Sequence, residues 1–129
     1  MHRREFGSAN RRAEAMNRHL DELCRRVAEP FYLEPCDLFA SEDGYLFKNA
    51  TAARRVAMWL IWATWFPRPS TTEIARMFGF KNPRSSHNTV RTAVTFVEEQ
   101  IKLKTDVGQI AERLRKPASV PPPKLRVVG

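Results

Sequence analysis

Glycine is scarce, with 5 in 129 residues. A turn-rich all-β chain draws on many more, which excludes that class, and the helical patterns described below make an all-α fold the expectation. Cysteine is nearly absent: Cys24 and Cys36 cannot form a disulfide framework or a four-ligand zinc site unaided. His2, His19 and His87 are scattered without metal-ligand spacing, and no metal or cofactor is expected. No glycine-rich phosphate loop occurs, which excludes the common nucleotide-binding motifs. No apolar run reaches the ~20 residues of a membrane span; the longest, Val56 to Pro67, is about a dozen. The arginine-rich start has no apolar stretch behind it, so it does not read as a secretory signal. A reduced, cytoplasmic, soluble protein follows as the expectation, with no membrane partner and no small-molecule substrate.

Acidic residues are missing from one stretch altogether. Between Ile74 and Val97 there is no Asp or Glu, while Arg76, Lys81, Arg84, Arg91 and His87 all fall inside it. The whole chain carries 22 Lys+Arg against 14 Asp+Glu, a formal net charge of +8, with a pI near 10.2. A small domain this basic fits a polyanion, most often nucleic acid, although a solvated cationic surface also accounts for the charge.

What is present reads as helices. Residues 1–8 are charged and small, and are expected to be flexible. From about Ala9 to Ala28, Leu20, Leu23, Cys24 and Val27 follow the i, i+3, i+4, i+7 spacing of a core stripe, and Pro30 stops the helix. Phe31 to Pro35 reads as a linker, followed by a short helical turn around Asp37-Leu38-Phe39. A second long helix is expected from about Thr51 to Trp65, ended by Pro67 and Pro69. Ser70-Thr71-Thr72-Glu73 is a capping box opening a short helix to Met77 or Phe78, with Gly79 as its stop. Lys81-Asn82-Pro83-Arg84 reads as a turn, with Ser85 or Ser86 capping the next helix, whose stripe is Val90, Ala93, Val94, Val97 and Ile101. A last helix covers about Asp106 to Arg115. The Pro-rich residues 116–129 are expected to be a disordered tail. One helical domain, 9–115, is thus expected, a bundle of about five to six helices with a helix-turn-helix near 70–103.

Removing the apolar stripe from the helix near Ser86 leaves His87, Asn88, Arg91, Thr92 and Thr95 facing outward. A recognition helix presents its N-terminal residues to base edges; Asn pairs with adenine, Arg with guanine, and a Thr methyl meets the thymine methyl. An ordinary polar helix face would carry similar residues.

Three segments resemble one known family. Leu20 to Glu29 followed by Asp37-Leu38 is similar to the entry helices of the C-terminal DNA-binding domain (domain IV) of the bacterial chromosomal replication initiator DnaA. Arg54-Arg55-Val56-Ala57-Met58-Trp59-Leu60 resembles its R-Q-x-A-M-x-L helix start. Ser70 to Gly79 resembles S-L-x-x-I-G-x-x-F-G, and His87-Asn88-Thr89-Val90 stands where the family has D-H-[ST]-T-V. The likeness covers residues 20–115. It implies a helical bundle of the Trp repressor-like helix-turn-helix group, with His87, Asn88 and Thr89 reading bases in the major groove. It further implies a backbone contact from Arg54, and Thr71 and Thr72 near a phosphate. With Arg55, Lys81, Arg84, Ser85, Ser86, Arg91 and Lys48 around them, these residues make up the expected interface with double-stranded DNA.

The chain also departs from the family pattern. Residues 80–86 lengthen the turn, Ser86 replaces the aspartate before the histidine, and Asn88 replaces the middle reading threonine. The family's basic loop corresponds here to residues 41–49, which hold Glu42, Asp43 and the single cation Lys48. The expected function is a stand-alone, sequence-specific DNA-binding protein without ATPase activity that regulates replication initiation or transcription. The alternative is a protein-interaction module. Trp59, Trp62 and Trp65 recur every three residues on one helix, a spacing that suits either core packing or an exposed aromatic strip for a protein partner. An enzyme is not expected, because Ser85, Ser86 and His87 point in different directions on a helix and no carboxylate within that segment orients the imidazole.

Overall fold

The computed structural model describes residues 3–39, 48–80 and 82–116, with the side chains of 3–15, 48 and 83–86 left aside. The expected tail beyond residue 116, the loop residues 41–47 and Lys81 lie outside the described residues. So do the side chains of Lys48, Arg84, Ser85 and Ser86. Among the described residues, five α-helices carry the fold: α1 (Arg3–Ala28), α2 (Lys48–Thr64), α3 (Thr71–Met77), α4 (Pro83–Leu103) and α5 (Asp106–Arg115). Two 3-10 turns, Glu29–Phe31 and Pro35–Leu38, follow α1. No strand occurs among the described residues, and the all-α expectation holds.

The apolar stripe of α1 is buried as its spacing predicts, with Leu20, Leu23, Cys24 and Val27 all in the core. The helix starts at Arg3, ahead of Ala9, so residues 3–8, expected to be flexible, belong to it. It ends at Ala28 as expected, and Pro30 stands in the 3-10 turn that follows. Proline is tolerated in the first turn of a 3-10 helix, and Pro30 and Phe31 are buried there. Leu33 N–H donates to the Ala28 carbonyl at 3.0 Å and Tyr32 N–H to Glu29 at 3.0 Å, with Tyr32 left-handed at φ 60°. These are the paired bonds of a Schellman closure.

Helix α2 is the central pillar. Every residue from Val56 to Ile61 is buried, and a helix apolar all round must be enclosed by other elements. It packs on α1, α3, α4 and α5. The longest apolar run of the chain is therefore the middle of the core, and among the described residues no helix is long and apolar enough to cross a membrane.

Helix α3 keeps its expected bounds. Ser70 Oγ accepts from Glu73 N–H at 3.1 Å, and the Glu73 carboxylate accepts from Ser70 N–H at 3.4 Å, which is the capping box read in the sequence. At the other end, Phe80 N–H donates to the Ala75 carbonyl at 3.1 Å and Gly79 N–H to Arg76 at 3.0 Å, with Gly79 at φ 93°. Glycine takes that angle without the clash a Cβ would bring.

Helix α4 begins at Pro83, so the expected start at Ser85 or Ser86 is corrected. Proline is preset for the first helical position and lacks the N–H that would go unbonded there. Residues 83–86 belong to the helix, and the connection from α3 is correspondingly shorter than the sequence reading allowed. Val90, Ala93 and Val97 are fully buried, while Val94 and Ile101 pack against the core edge. Thr105 caps α5, accepting from Gly108 N–H at 3.1 Å and donating to Gln100 Oε1 at 2.7 Å. Arg26 Nη2 donates to the Leu114 carbonyl at 3.1 Å, tying the end of α5 back to α1.

Candidate nucleic-acid interface

The expected interface is built where α3 and α4 pack on each other. The capping box sets the first turn of α3, with Thr71 and Thr72 at its start. The Gly79 turn then reverses the chain, and α4 brings His87 back against that start. Thr71 Oγ1 and His87 Nδ1 lie 2.7 Å apart, 16 residues apart in the sequence. Two residues predicted separately thus form one hydrogen-bonded pair.

The outward face of α4 agrees with the stripe argument. His87, Asn88, Arg91, Thr92 and Thr95 are exposed, and Val90, Ala93 and Val97 point inward. Thr89 is half-buried, being next to Val90 on the inner side, so of the three expected reading residues only His87 and Asn88 are fully presented. Thr71 and Thr72 are half-buried. Because the helix starts at Pro83, His87 sits one turn inside it rather than at its first residues.

Arg54 and Arg55 occupy α2 beneath this region. The Arg54 guanidinium lies over the Phe80 ring, 4.6 Å from its centroid, and Arg55 lies over Phe96 at 4.8 Å. A cation over an aromatic face is held by the ring quadrupole. Burial, and next the charge of Arg55, pull the Arg54 pKa below its ordinary value, yet a guanidinium remains charged in proteins. Arg54 therefore braces the turn between α3 and α4 while keeping its charge. The two ring platforms, Phe80 and Phe96, went unread in the sequence, where both looked like ordinary apolar residues. The only local signal is the placing of Phe80 just beyond Gly79.

The tryptophan helix divides. Trp59 is 2% exposed and belongs to the core, whereas Trp62 and Trp65 are half-buried. Arg68 lies over Trp62 at 4.2 Å, and Arg115 over Trp59 at 5.7 Å. Phe66 stands 98% exposed beside an open groove of about 940 Å³ that Met16, Leu60, Trp65, Arg68 and Leu114 help to line. Among the described residues, no group of three or more His, Cys, Asp or Glu side chains is placed to hold a metal ion. No family model, curated protein or solved structure matches this chain.

Proposed function

We propose that the chain binds double-stranded DNA, in a manner similar in plan to the DNA-binding domain of the replication initiator DnaA. In this reading it acts on replication initiation or transcription. The observation that carries this reading is the Thr71–His87 pair at 2.7 Å, which joins the start of α3 to the exposed face of α4. That face lies in a stretch with no acidic residue between Ile74 and Val97. A phosphate backbone rewards such a surface, and exposed His, Asn and Arg supply donors and acceptors for base edges. Lys81, Arg84, Ser85, Ser86 and Lys48 join the interface in this reading on the strength of the sequence.

The test is fluorescence anisotropy on a duplex carrying an initiator-type box and on its scrambled counterpart, at ~150 mM salt where specific and non-specific binding separate. Preference for one sequence, lost in a His87→Ala, Arg91→Ala double variant, is the expected result. Absence of binding to any duplex, even at low salt, overturns the reading.

The protein-interaction reading loses Trp59, which is enclosed, and would rest on Trp62, Trp65 and Phe66. It is favoured only if Phe66→Ala leaves the melting temperature unchanged and abolishes binding to an identified protein.

A further inference from the structure

We infer that the open groove beside Phe66 is a docking site for the chain's own segment Pro117 to Pro123, which leaves α5 at the groove's edge and lies back across it. This occupancy does not depend on DNA binding. The groove holds about 940 Å³. On α1 its wall is the face that carries Met16, His19, Leu23 and Arg26, about 15 Å long at 1.5 Å per residue. Trp65 and Phe66 supply aromatic surface from just beyond α2. Phe66 is 98% exposed, Met16 is exposed and Trp65 is half-buried. Apolar side chains gathered at one open groove mark a place where another segment binds.

The end of α5 stands at that groove. Arg26 Nη2 donates to the Leu114 carbonyl at 3.1 Å, which pins the last turn of α5 to the Arg26 end. Leu114, Arg115 and Lys116 are themselves part of the lining. Lys116 has left the helix, with φ −82° and ψ 138°. That is the polyproline II region, where a residue followed by proline is held. The next seven residues read Pro-Ala-Ser-Val-Pro-Pro-Pro. At about 3.1 Å per residue, Val120 lies about 12 Å and Pro121 about 16 Å from Lys116. The segment thus spans the groove from the Arg26 end to the Met16 end.

The chemistry matches. Polyproline II segments dock in grooves lined by aromatic rings, and they lose little entropy in doing so. Residues 117–123 carry no charge, so neither the cations of the groove, such as Arg26 and Arg68, nor its carboxylate Glu22 repels them. Attachment at the rim gives the segment a millimolar effective concentration, so a weak contact suffices. A second copy or a foreign chain has no such advantage.

The experiment is ¹⁵N relaxation on the full chain. Order parameters of the Ser119 and Val120 amides are expected near the ~0.85 of rigid backbone, with nuclear Overhauser contacts from the Phe66 ring to proline δ protons. In Phe66→Ala they fall below about 0.6, the flexible range, while the amide spectrum of the helices, the folding control, is retained. A triple Pro121→Gly, Pro122→Gly, Pro123→Gly variant releases the segment in the same way without touching the groove. Values below about 0.6 in the wild type overturn the inference and leave the groove to a foreign partner. Rigid Ser119 and Val120 amides in both variants overturn it as well. Ordering that grows with protein concentration assigns the groove to a second copy, and overturns the intramolecular assignment.

Discussion

At the scale of single residues, burial and partner identity separate side chains that look alike in the sequence. Cys24 is fully enclosed and Cys36 is exposed. Burial, and next the Asp21 carboxylate, push the Cys24 thiol from 9.0 up to about 12. The folded chain keeps this proton where the unfolded chain begins to lose it. The stabilisation from Cys24 is therefore whole below pH 9 and is lost as pH rises toward about 12. Two outcomes are expected. A thiol reagent at pH 8 labels Cys36 rapidly, and labels Cys24 only after denaturant is added. Between pH 9 and 10.5, urea stability falls by up to about 1.4 kcal/mol per pH unit from this group, and falls less steeply in Cys24→Ala.

At the scale of elements, helix ends and crossings decide the architecture. The Ser70–Glu73 box satisfies amides that would otherwise lack partners at the start of α3, a helix of only 7 residues. So short a helix has little stability of its own. Ser70→Ala is expected to cost about 1 kcal/mol by thermal melting and to loosen Thr71 at the interface. A capping effect below the error of the melt would mean that packing of Ile74 and Ala75 holds α3 without help. The α4–α5 corner is tighter still. A Cβ added at Gly108 would meet the Ile101 nitrogen at 2.7 Å and the Gln100 carbonyl closer yet. Backbone atoms there cannot swing aside as a side chain could. Gly108→Ala should destabilise by about 1–3 kcal/mol, in the range of an overpacked core, read from the urea midpoint. Wild-type stability in that variant would show that α5 shifts freely on α4.

At the scale of the molecule, charge and shape act together. The net charge of +8 is general, whereas the stretch between Ile74 and Val97 leaves Arg76, Lys81, Arg84 and Arg91 with no acidic residue to offset them. If that surface carries the binding, the slope of log K against log salt should fall by about 1 for each phosphate contact removed. Arg91→Ala, at an exposed position on α4, is expected to lower the slope by about 1, and Glu99→Gln on the same helix to leave it unchanged. An unaltered slope in Arg91→Ala would move the electrostatic contact elsewhere, with the arginine-rich residues of α1 the next to test.

Much of this was legible locally. Periodicity in α1 and α4, the capping box of α3 and the glycine stop after it are short-range signals, because they depend on residues three to five apart. The bounds of α3 follow from them. The start of α4 at Pro83 was misread as a turn, although proline suits the first helical position. The chain order alone also determined the outward set His87, Asn88 and Arg91, by subtraction of the buried stripe. Other features needed the folded molecule. That Trp59 is core and Phe66 is bare depends on how α2 is surrounded, which a three-residue spacing leaves undecided. That Arg54 rests on Phe80, and Arg55 on Phe96, depends on α2 meeting the α3–α4 connection and α4. The Thr71–His87 pair likewise arises only when the Gly79 turn folds α4 back on α3. Local hydrogen bonding and side-chain period are written residue by residue, whereas a contact between distant residues exists only once loop closure and burial have brought the helices together.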